Sequence, residues 1–157
     1  MPKRSAGLLM YRRGDRGAVQ VLLVHPGGPF WAGRDAGAWS IPKGEYGAHE
    51  DALTAARREF AEELGSVPLG ECLPLGEVKQ KGGKIVTAFA LEGDLDVLSI
   101  VPGRFEMEWP PRSGRMQRFA EVDRAEWFPV EVARAKILPS QAALIDRLLA
   151  FLPRAKP

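Results

Sequence analysis

The sequence predicts an α+β fold, in which a mixed β-sheet carries helices on both of its faces. Three observations indicate this class: short apolar runs are bounded by turn residues, two segments show a helical apolar period, and strand-like and helix-like segments alternate irregularly. The 157 residues suit one domain of ordinary size, so we expect a single domain over residues 1–157.

Two β-hairpins are predicted to supply much of the sheet. Residues 6–11 and 18–25 are apolar runs separated by a turn-rich segment, which is typical of a hairpin. The second run is almost continuously apolar, so we expect a central strand that is covered on both faces. Residues 76–80 and 84–93, joined through a Lys-Gly-Gly turn, predict the second hairpin.

An amphipathic helix is predicted from about His49 to Leu64, with Gly65 as its C-terminal cap. At about 100° per residue, four apolar side chains share one narrow stripe, which is the expected core face. These side chains are Leu53, Ala56, Phe60 and Leu64. A long loop at 26–44, rich in Gly and Pro, precedes this helix, and loops of this kind are usually functional or mobile.

The remaining elements follow from the same patterns. We expect an extended segment at 99–109, a loop at 110–115 and a strand or strand pair at 118–129. A short helix is expected at 130–137 and a final amphipathic helix at 140–152. Ser140 is the expected N-cap of the last helix. Its expected core side is formed by Leu144, Ile145, Leu148, Leu149 and Leu152.

The charge balance argues against two classes of partner. The formal net charge is +2, from 22 basic and 20 acidic residues, so bulk charge favours neither nucleic acid nor a membrane surface. No stretch approaches the ~18 apolar residues of a membrane span, and the N-terminus lacks a signal-peptide pattern. The single Cys72 has no internal disulfide partner. We expect a cytoplasmic protein, monomeric or homodimeric.

Three glutamates, Glu59, Glu62 and Glu63, crowd the end of the first predicted helix. Like charges at this spacing repel by roughly 0.2–0.5 kcal/mol per pair, so stability alone does not explain them. Their carboxylates form an arc of about 100° beside the apolar stripe, with Glu63 nearest the core. Such oxygens suit Mg²⁺ or Mn²⁺. The alternative is a solvated acidic face that pairs with Arg57 and Arg58.

The wider spacing resembles the Nudix box. Gly44 is followed after five residues by Glu50, and after seven more by Arg58-Glu59-Phe60, one residue, Glu62-Glu63, one residue and Gly65. All seven fixed residues of the box are present, and the departure is Ser66, where the family has an apolar residue. The order of hairpins, loop, helix and terminal helix also resembles the family over most of the chain.

The resemblance to Nudix hydrolases implies an α/β/α sandwich and hydrolysis of a nucleoside diphosphate linked to a moiety X, for example a dinucleoside polyphosphate or an NTP. It implies Mg²⁺ or Mn²⁺ held by Glu59, Glu62 and Glu63, with the backbone carbonyl of Lys43 as a further ligand. Arg58 is expected to orient Glu62, Glu50 to pin the loop to the helix, and Gly44 to permit a tight turn. The nucleophile is expected to be water, and His25 and His49 are expected to take no part.

The general base and the substrate contacts are less defined. Glu108 is favoured as base over Glu106, because Trp109 and two prolines follow it, and the alternative is that both are solvated acids on a strand. Glu121 and Glu126 remain open candidates, and Glu62 of the box helix is the fallback. The entry Trp-Ser-Ile-Pro-Lys-Gly before the box resembles Nudix enzymes that act on polyphosphates, so Lys43 is a candidate phosphate contact. Trp31, Trp39 and Trp109 are candidates for stacking on a base, and the alternative for each is packing in the core or in a loop. Trp39 and Trp109 are carried forward as predicted substrate contacts, and Trp31 stays open.

Two other function classes stay open at this stage. A Nudix-fold protein that binds a nucleotide without cleaving it commonly loses box glutamates, whereas this chain keeps all of them. A Nudix-fold isomerase acting on an isoprenoid diphosphate uses a catalytic cysteine, and Cys72 lacks the expected context. Lys79, Lys81 and Lys84 near the second hairpin are either phosphate contacts or solvated side chains. The sequence does not define X.

Overall fold

A computed structural model describes residues 3–152 of the chain. Within that range, eight strands and three α-helices form. The strands are β1 Arg4–Arg13, β2 Val19–Pro26, β3 Lys43–Glu45, β4 Cys72–Lys79, β5 Ile85–Glu92, β6 Arg104–Glu108, β7 Met116–Ala120 and β8 Val122–Pro129. The helices are α1 Ala52–Leu64, α2 Val130–Lys136 and α3 Ala142–Phe151.

The main sheet is mixed, as predicted. Its strand order is β4-β5-β1-β2-β8, with β3 attached to β1. The central pair β1–β5 is parallel, whereas β1–β2, β1–β3, β2–β8 and β4–β5 are antiparallel. The two predicted hairpins, β1–β2 and β4–β5, are therefore confirmed, and β2 is central and buried over Val21–Val24.

Each face of the sheet packs against its own helices. Successive residues of a strand point to opposite faces, so β1 contributes to two separate clusters. Ala6, Leu8 and Met10 pack beneath α1, whereas Leu9 and Tyr11 belong to the cluster that contains residues of α2 and α3. This α/β/α layering is the predicted fold class.

The first helix begins three residues later than the sequence predicts. Asp51 is extended, with φ −78° and ψ 157°, and its carboxylate accepts a hydrogen bond from the Thr54 N–H at 3.2 Å. This is N-cap geometry, so Asp51 caps the helix rather than lying in its first turn. The predicted C-cap is confirmed: Gly65 has φ +73°, and its N–H donates to the carbonyl of Ala61.

The late strand pair belongs to two different sheets. β7 pairs with β6 in a separate two-stranded sheet, while β8 pairs with β2. The predicted N-cap Ser140 is wrong, because it lies inside a short 3₁₀ turn, Pro139–Gln141. The fully buried Gln141 side chain instead accepts from the Ile41 N–H and donates to the Ser40 hydroxyl. No helix within residues 3–152 combines the length and apolar character that a membrane crossing requires.

Candidate functional site

The approach of α1 to β3 sets the geometry of the carboxylate cluster. β3 is held on β1 with Gly44 opposite Ala6, so the Gly44 backbone faces α1. A Cβ added at Gly44 would lie 2.0 Å from the carboxyl carbon of Glu59. Since real Cβ contacts are essentially never shorter than 3.0 Å, any other residue at this position would displace the Glu59 carboxylate from its place over the strand.

Glu63 is the glutamate most strongly affected by its surroundings. Burial, followed by the charge of Glu59, raises the pKa of Glu63 to about 8. The Lys43 side chain and a hydrogen bond with the Lys43 backbone lower that pKa only in part. The ionised form of a desolvated carboxyl group beside another carboxylate is stabilised by an added positive charge.

Arg58 connects the other members of the box. Its guanidinium donates to both carboxylate oxygens of Glu50 at 2.9 Å, to Glu59 Oε1 at 2.8 Å and to Glu62 Oε1 at 3.2 Å. These three carboxylates raise the Arg58 pKa, with the Glu50 contact the largest cause. The structure thus brings Arg58 to Glu62 and lets Glu50 tie the loop to the helix.

A fourth carboxylate, Glu121, comes from the junction between β7 and β8. Its N–H donates to the Gly103 carbonyl at 2.8 Å, and its carbonyl accepts from the Gly27 N–H at 3.0 Å. Burial, then the charge of Glu62, raises the pKa of Glu121, and Glu121 in turn contributes to the raised pKa of Glu63. Glu121 therefore belongs to the same electrostatic cluster as the box.

The cluster opens into a cavity of about 220 Å³, which we call the Glu63 cavity. Its polar lining includes the side chains that the box and the adjoining strands deliver, and Trp31 and Pro26 supply apolar surface. The lining residues include Val24, Pro26, Trp31, Lys43, Glu63 and Glu121. Four larger cavities, of about 310 to 480 Å³, are lined by none of the four clustered carboxylates, so we place the site at the smaller cavity.

Lys43 combines partial burial with a charged neighbourhood. Burial lowers its pKa, while the charge of Glu63 acts in the opposite direction and that of Lys84 lowers the pKa further. The ammonium group is thus poorly hydrated and close to an acid, which suits contact with an anionic ligand that enters the same cavity. Lys84 also lies 4.0 Å from Glu45, and Lys3 lies 3.8 Å from the same carboxylate.

The carboxylate oxygens of the cluster are the kind of ligand that a hard divalent cation prefers, although they do not converge on one point in this conformation. Within residues 3–152, no group of three or more His, Cys, Asp or Glu is arranged to hold a metal ion. In this conformation Arg58 holds Glu59 and Glu62 by hydrogen bonds. Turning both carboxylates from Arg58 toward Glu63 would provide oxygen ligands of the kind that Mg²⁺ and Mn²⁺ prefer.

Two of the three candidate tryptophans lie away from the Glu63 cavity. Trp39 is 1% exposed and packs against Phe128 and His25 in the core, which leaves no ring face for a substrate. Trp109 lies in the β6–β7 hairpin and packs edge-on against Phe30 of the long loop. Trp31, the tryptophan left open by the sequence, is the one that lines the cavity.

Glu108, the favoured base, is also displaced from the cluster. Its Oε1 accepts from the Arg112 N–H at 2.6 Å, so the carboxylate closes the exposed hairpin turn. Glu106 pairs with Arg118 across the same hairpin. The later carboxylate that joins the cluster is Glu121, because β7 and β8 separate at that position and turn it toward the box helix. The interruption of the apolar pattern between Ala120 and Val122 is the only local signal for this placement.

Comparison with known proteins agrees with this geometry. The NUDIX domain family model matches residues 1–148. The NUDIX domain of Shewanella oneidensis NrtR complexed with ADP ribose has a TM-score of 0.66 at 18% identity, over 98% of this chain and 90% of that chain. A C. elegans Ap4A hydrolase has a TM-score of 0.61 at 23% identity, over 95% of this chain and 96% of that chain. A mutT/nudix family protein from Listeria innocua has a TM-score of 0.62 at 17% identity, over 96% of this chain and 94% of that chain. Curated proteins give no significant match.

At these identities the solved structures establish a shared α/β/α fold, and the family model adds the class. The chain belongs to the Nudix family, as its box predicts, and the matched range runs from β1 into α3. Family membership and an intact set of box glutamates support a pyrophosphohydrolase, an enzyme that acts on phosphoric anhydride bonds.

Proposed function

We propose that the protein hydrolyses a nucleoside diphosphate linked to a moiety X, with Mg²⁺ or Mn²⁺ held by Glu59, Glu62 and Glu63. The observation that carries this proposal is the half-buried Glu63 side chain, whose carboxyl pKa is raised mainly by burial and which lines a cavity together with Lys43. A carboxyl group that can bind a cation, together with a poorly hydrated ammonium group that can bind a phosphate, suits a polyphosphate bound as its metal complex.

The chain's own residues have separable tasks in this reaction. A bound divalent cation supplies charge neutralisation at the phosphoryl oxygens and increases the acidity of water. Lys43 would contact a phosphate oxygen with its ammonium group, and its backbone carbonyl remains a candidate cation ligand. Arg58 would hold Glu50 and keep the loop fixed when Glu59 and Glu62 turn to the cation.

Glu121 is our proposed general base. It lines the cavity, its pKa is raised by burial, and its backbone is fixed on both sides by hydrogen bonds. A base needs to accept a proton from water at the pH of turnover, and a raised carboxyl pKa increases its proton affinity. The exposed Glu108 does not line the Glu63 cavity, and its carboxylate is engaged in the hairpin turn.

A substrate panel with Mg²⁺ tests the proposal. The panel contains Ap4A, ADP-ribose and NTPs, and the readout is the nucleotide or phosphate released. The first two are included because similar structures carry those names. We expect release from at least one member. Tight nucleotide binding without release would indicate the binding-only class, and isomerisation of an isoprenoid diphosphate would indicate the other alternative; either result contradicts the proposal.

The choice of base is tested by the same substitution at two glutamates. Glu121→Gln should lower kcat by about 10²-fold or more, the usual contribution of a general base, because the amide cannot take up the proton. Glu108→Gln is the matched control, and we expect a change of less than about threefold because its carboxylate serves the hairpin turn. Both variants should retain the wild-type Tm within a few degrees. If Glu108→Gln lowers kcat strongly and Glu121→Gln stays active, the general base is Glu108 and not Glu121.

A further inference from the structure

His25 is a buried histidine at the end of β2, outside the carboxylate cluster. Its side chain is almost inaccessible, and the residue as a whole is 2% exposed. Its two chain neighbours, Val24 and Pro26, line the Glu63 cavity. His25 itself points to the opposite side of the strand and packs against Trp39, so it lies directly behind one wall of that cavity.

Both ring nitrogens of His25 face oxygens that accept hydrogen bonds. Nδ1 lies 2.9 Å from Asp123 Oδ1, and Nε2 lies 2.6 Å from the backbone carbonyl oxygen of Arg34. A backbone carbonyl has no proton to donate, and an ionised carboxylate only accepts. A neutral imidazole has one N–H, so it would leave a nitrogen lone pair against an oxygen lone pair. The contacts are satisfied when both nitrogens carry protons.

Charged groups of both signs surround the ring. The Asp123 carboxylate contacts the ring directly, and Trp39 packs edge-on against it with the ring centroids 5.1 Å apart. Trp39 also donates from Nε1 to Asp35, whose carboxylate is paired with Lys136. The charged groups around the His25–Trp39 pair are Asp123 and Arg124 from β8, Asp35 from the long loop and Lys136 from α2.

We propose that His25 is a positioning residue, held as an imidazolium that ties two walls of the Glu63 cavity together. On the loop side, Arg34, whose carbonyl His25 holds, donates from its N–H to the Trp31 carbonyl at 3.0 Å. Trp31 lines the cavity. On the other side, Asp123 lies in β8, two residues after Glu121. One charged ring therefore fixes the loop that carries Trp31 to the strand that follows Glu121.

The two walls depend on His25 to different degrees. Glu121 is held independently, because its N–H and its carbonyl both make backbone hydrogen bonds. The Arg34 carbonyl is fixed by His25, and the loop around it is exposed from Ala32 to Ala36. Loss of the imidazolium should thus move Trp31 more than Glu121, and affect substrate binding more than the chemical step. This last step rests on the proposed function, because it takes the Glu63 cavity as the place where substrate binds.

The protonation state is tested without substrate. The chain has two histidines, His25 and the exposed His49, so ¹⁵N-labelled histidine gives two sets of ring signals, and His25→Asn assigns them. At neutral pH we expect His25 to show two protonated ring nitrogens. A single protonated nitrogen at His25 overturns the proposal, whether or not the protein hydrolyses any substrate.

The positioning role is tested by kinetics on the folded variants. Asparagine has one amide group that donates, so His25→Asn keeps at most one of the two contacts. We expect KM to rise roughly tenfold, the effect of one lost charge-assisted hydrogen bond, with kcat changed less than about threefold. His49→Asn is the matched control and should leave both constants unchanged. A folded His25→Asn protein with wild-type KM overturns the proposal; if that variant does not fold, the NMR result on the wild-type protein decides.

Discussion

Glu63→Gln should lower kcat at least ~100-fold and, in the absence of divalent cations, make the folded protein more stable above neutral pH. A 100-fold loss corresponds to about 2.7 kcal/mol of transition-state stabilisation, which is the scale of one charged contact in a desolvated site. Glutamine keeps the shape of the side chain and removes the charge. Activity and stability should therefore change in opposite directions.

The sign of the stability effect follows from the raised pKa of Glu63. The ordinary value is 4.5 and the value in the folded protein is about 8, so between these values the folded state binds more protons than the unfolded state. Stability consequently falls as the pH rises through that window. Glu63→Gln removes this slope, since its amide does not titrate.

Thermal unfolding in chelator at several pH values measures the stability effect of Glu63→Gln, and turnover with Mg²⁺ measures its effect on kcat. Glu71→Gln, at an exposed position, is the control for losing one carboxylate and should change neither. A folded Glu63→Gln protein with wild-type kcat would show that the cluster is structural. A variant less stable than wild type at high pH would contradict the desolvation argument.

Removal of divalent cations should abolish hydrolysis. Without a cation the carboxylates of the cluster repel a polyphosphate and one another: after burial, the charges of Glu59 and Glu121 raise the pKa of Glu63, and that of Glu62 raises the pKa of Glu121. We expect no measurable turnover in excess chelator and full recovery when Mg²⁺ or Mn²⁺ is restored. Cation binding to the folded state alone should also raise the Tm.

Chelator that has been saturated with Mg²⁺ beforehand controls for direct effects of the reagent. The Tm increase on adding Mg²⁺ should be smaller in Glu63→Gln, because that variant has lost one ligand. Undiminished turnover in excess free chelator would eliminate the metal assignment. An equal Tm increase in both proteins would place the cation away from Glu63.

The sequence predicts the box helix well because its information is local. The stripe from Ala56 through Phe60 to Leu64 and the cap at Gly65 depend on helix geometry alone, and they place Glu63 at the core margin. The same periodicity shows that Glu59 and Glu62 lie on neighbouring faces. No tertiary contact was needed for these predictions.

Glu121 and Trp39 could not be placed from the sequence in this way. The position of Glu121 depends on how β8 pairs with β2, and that pairing has an irregularity between His25 and Pro26. Trp39 lies in a loop without any period, and it is buried because Ser40 forms a bridge to Val24 and draws the loop into the core. Both outcomes depend on pairing between distant segments, which a local pattern does not contain.

The strand order also determines when the site can assemble during synthesis. β2, whose centre is buried on both faces, receives its outer neighbour β8 only when residues 122–129 have emerged. Until then β2 is an apolar edge with unpaired backbone groups, the kind of edge that recruits other chains. Glu121 arrives immediately before the strand that covers this edge. The chain therefore completes its acidic cluster together with the pairing that covers this edge.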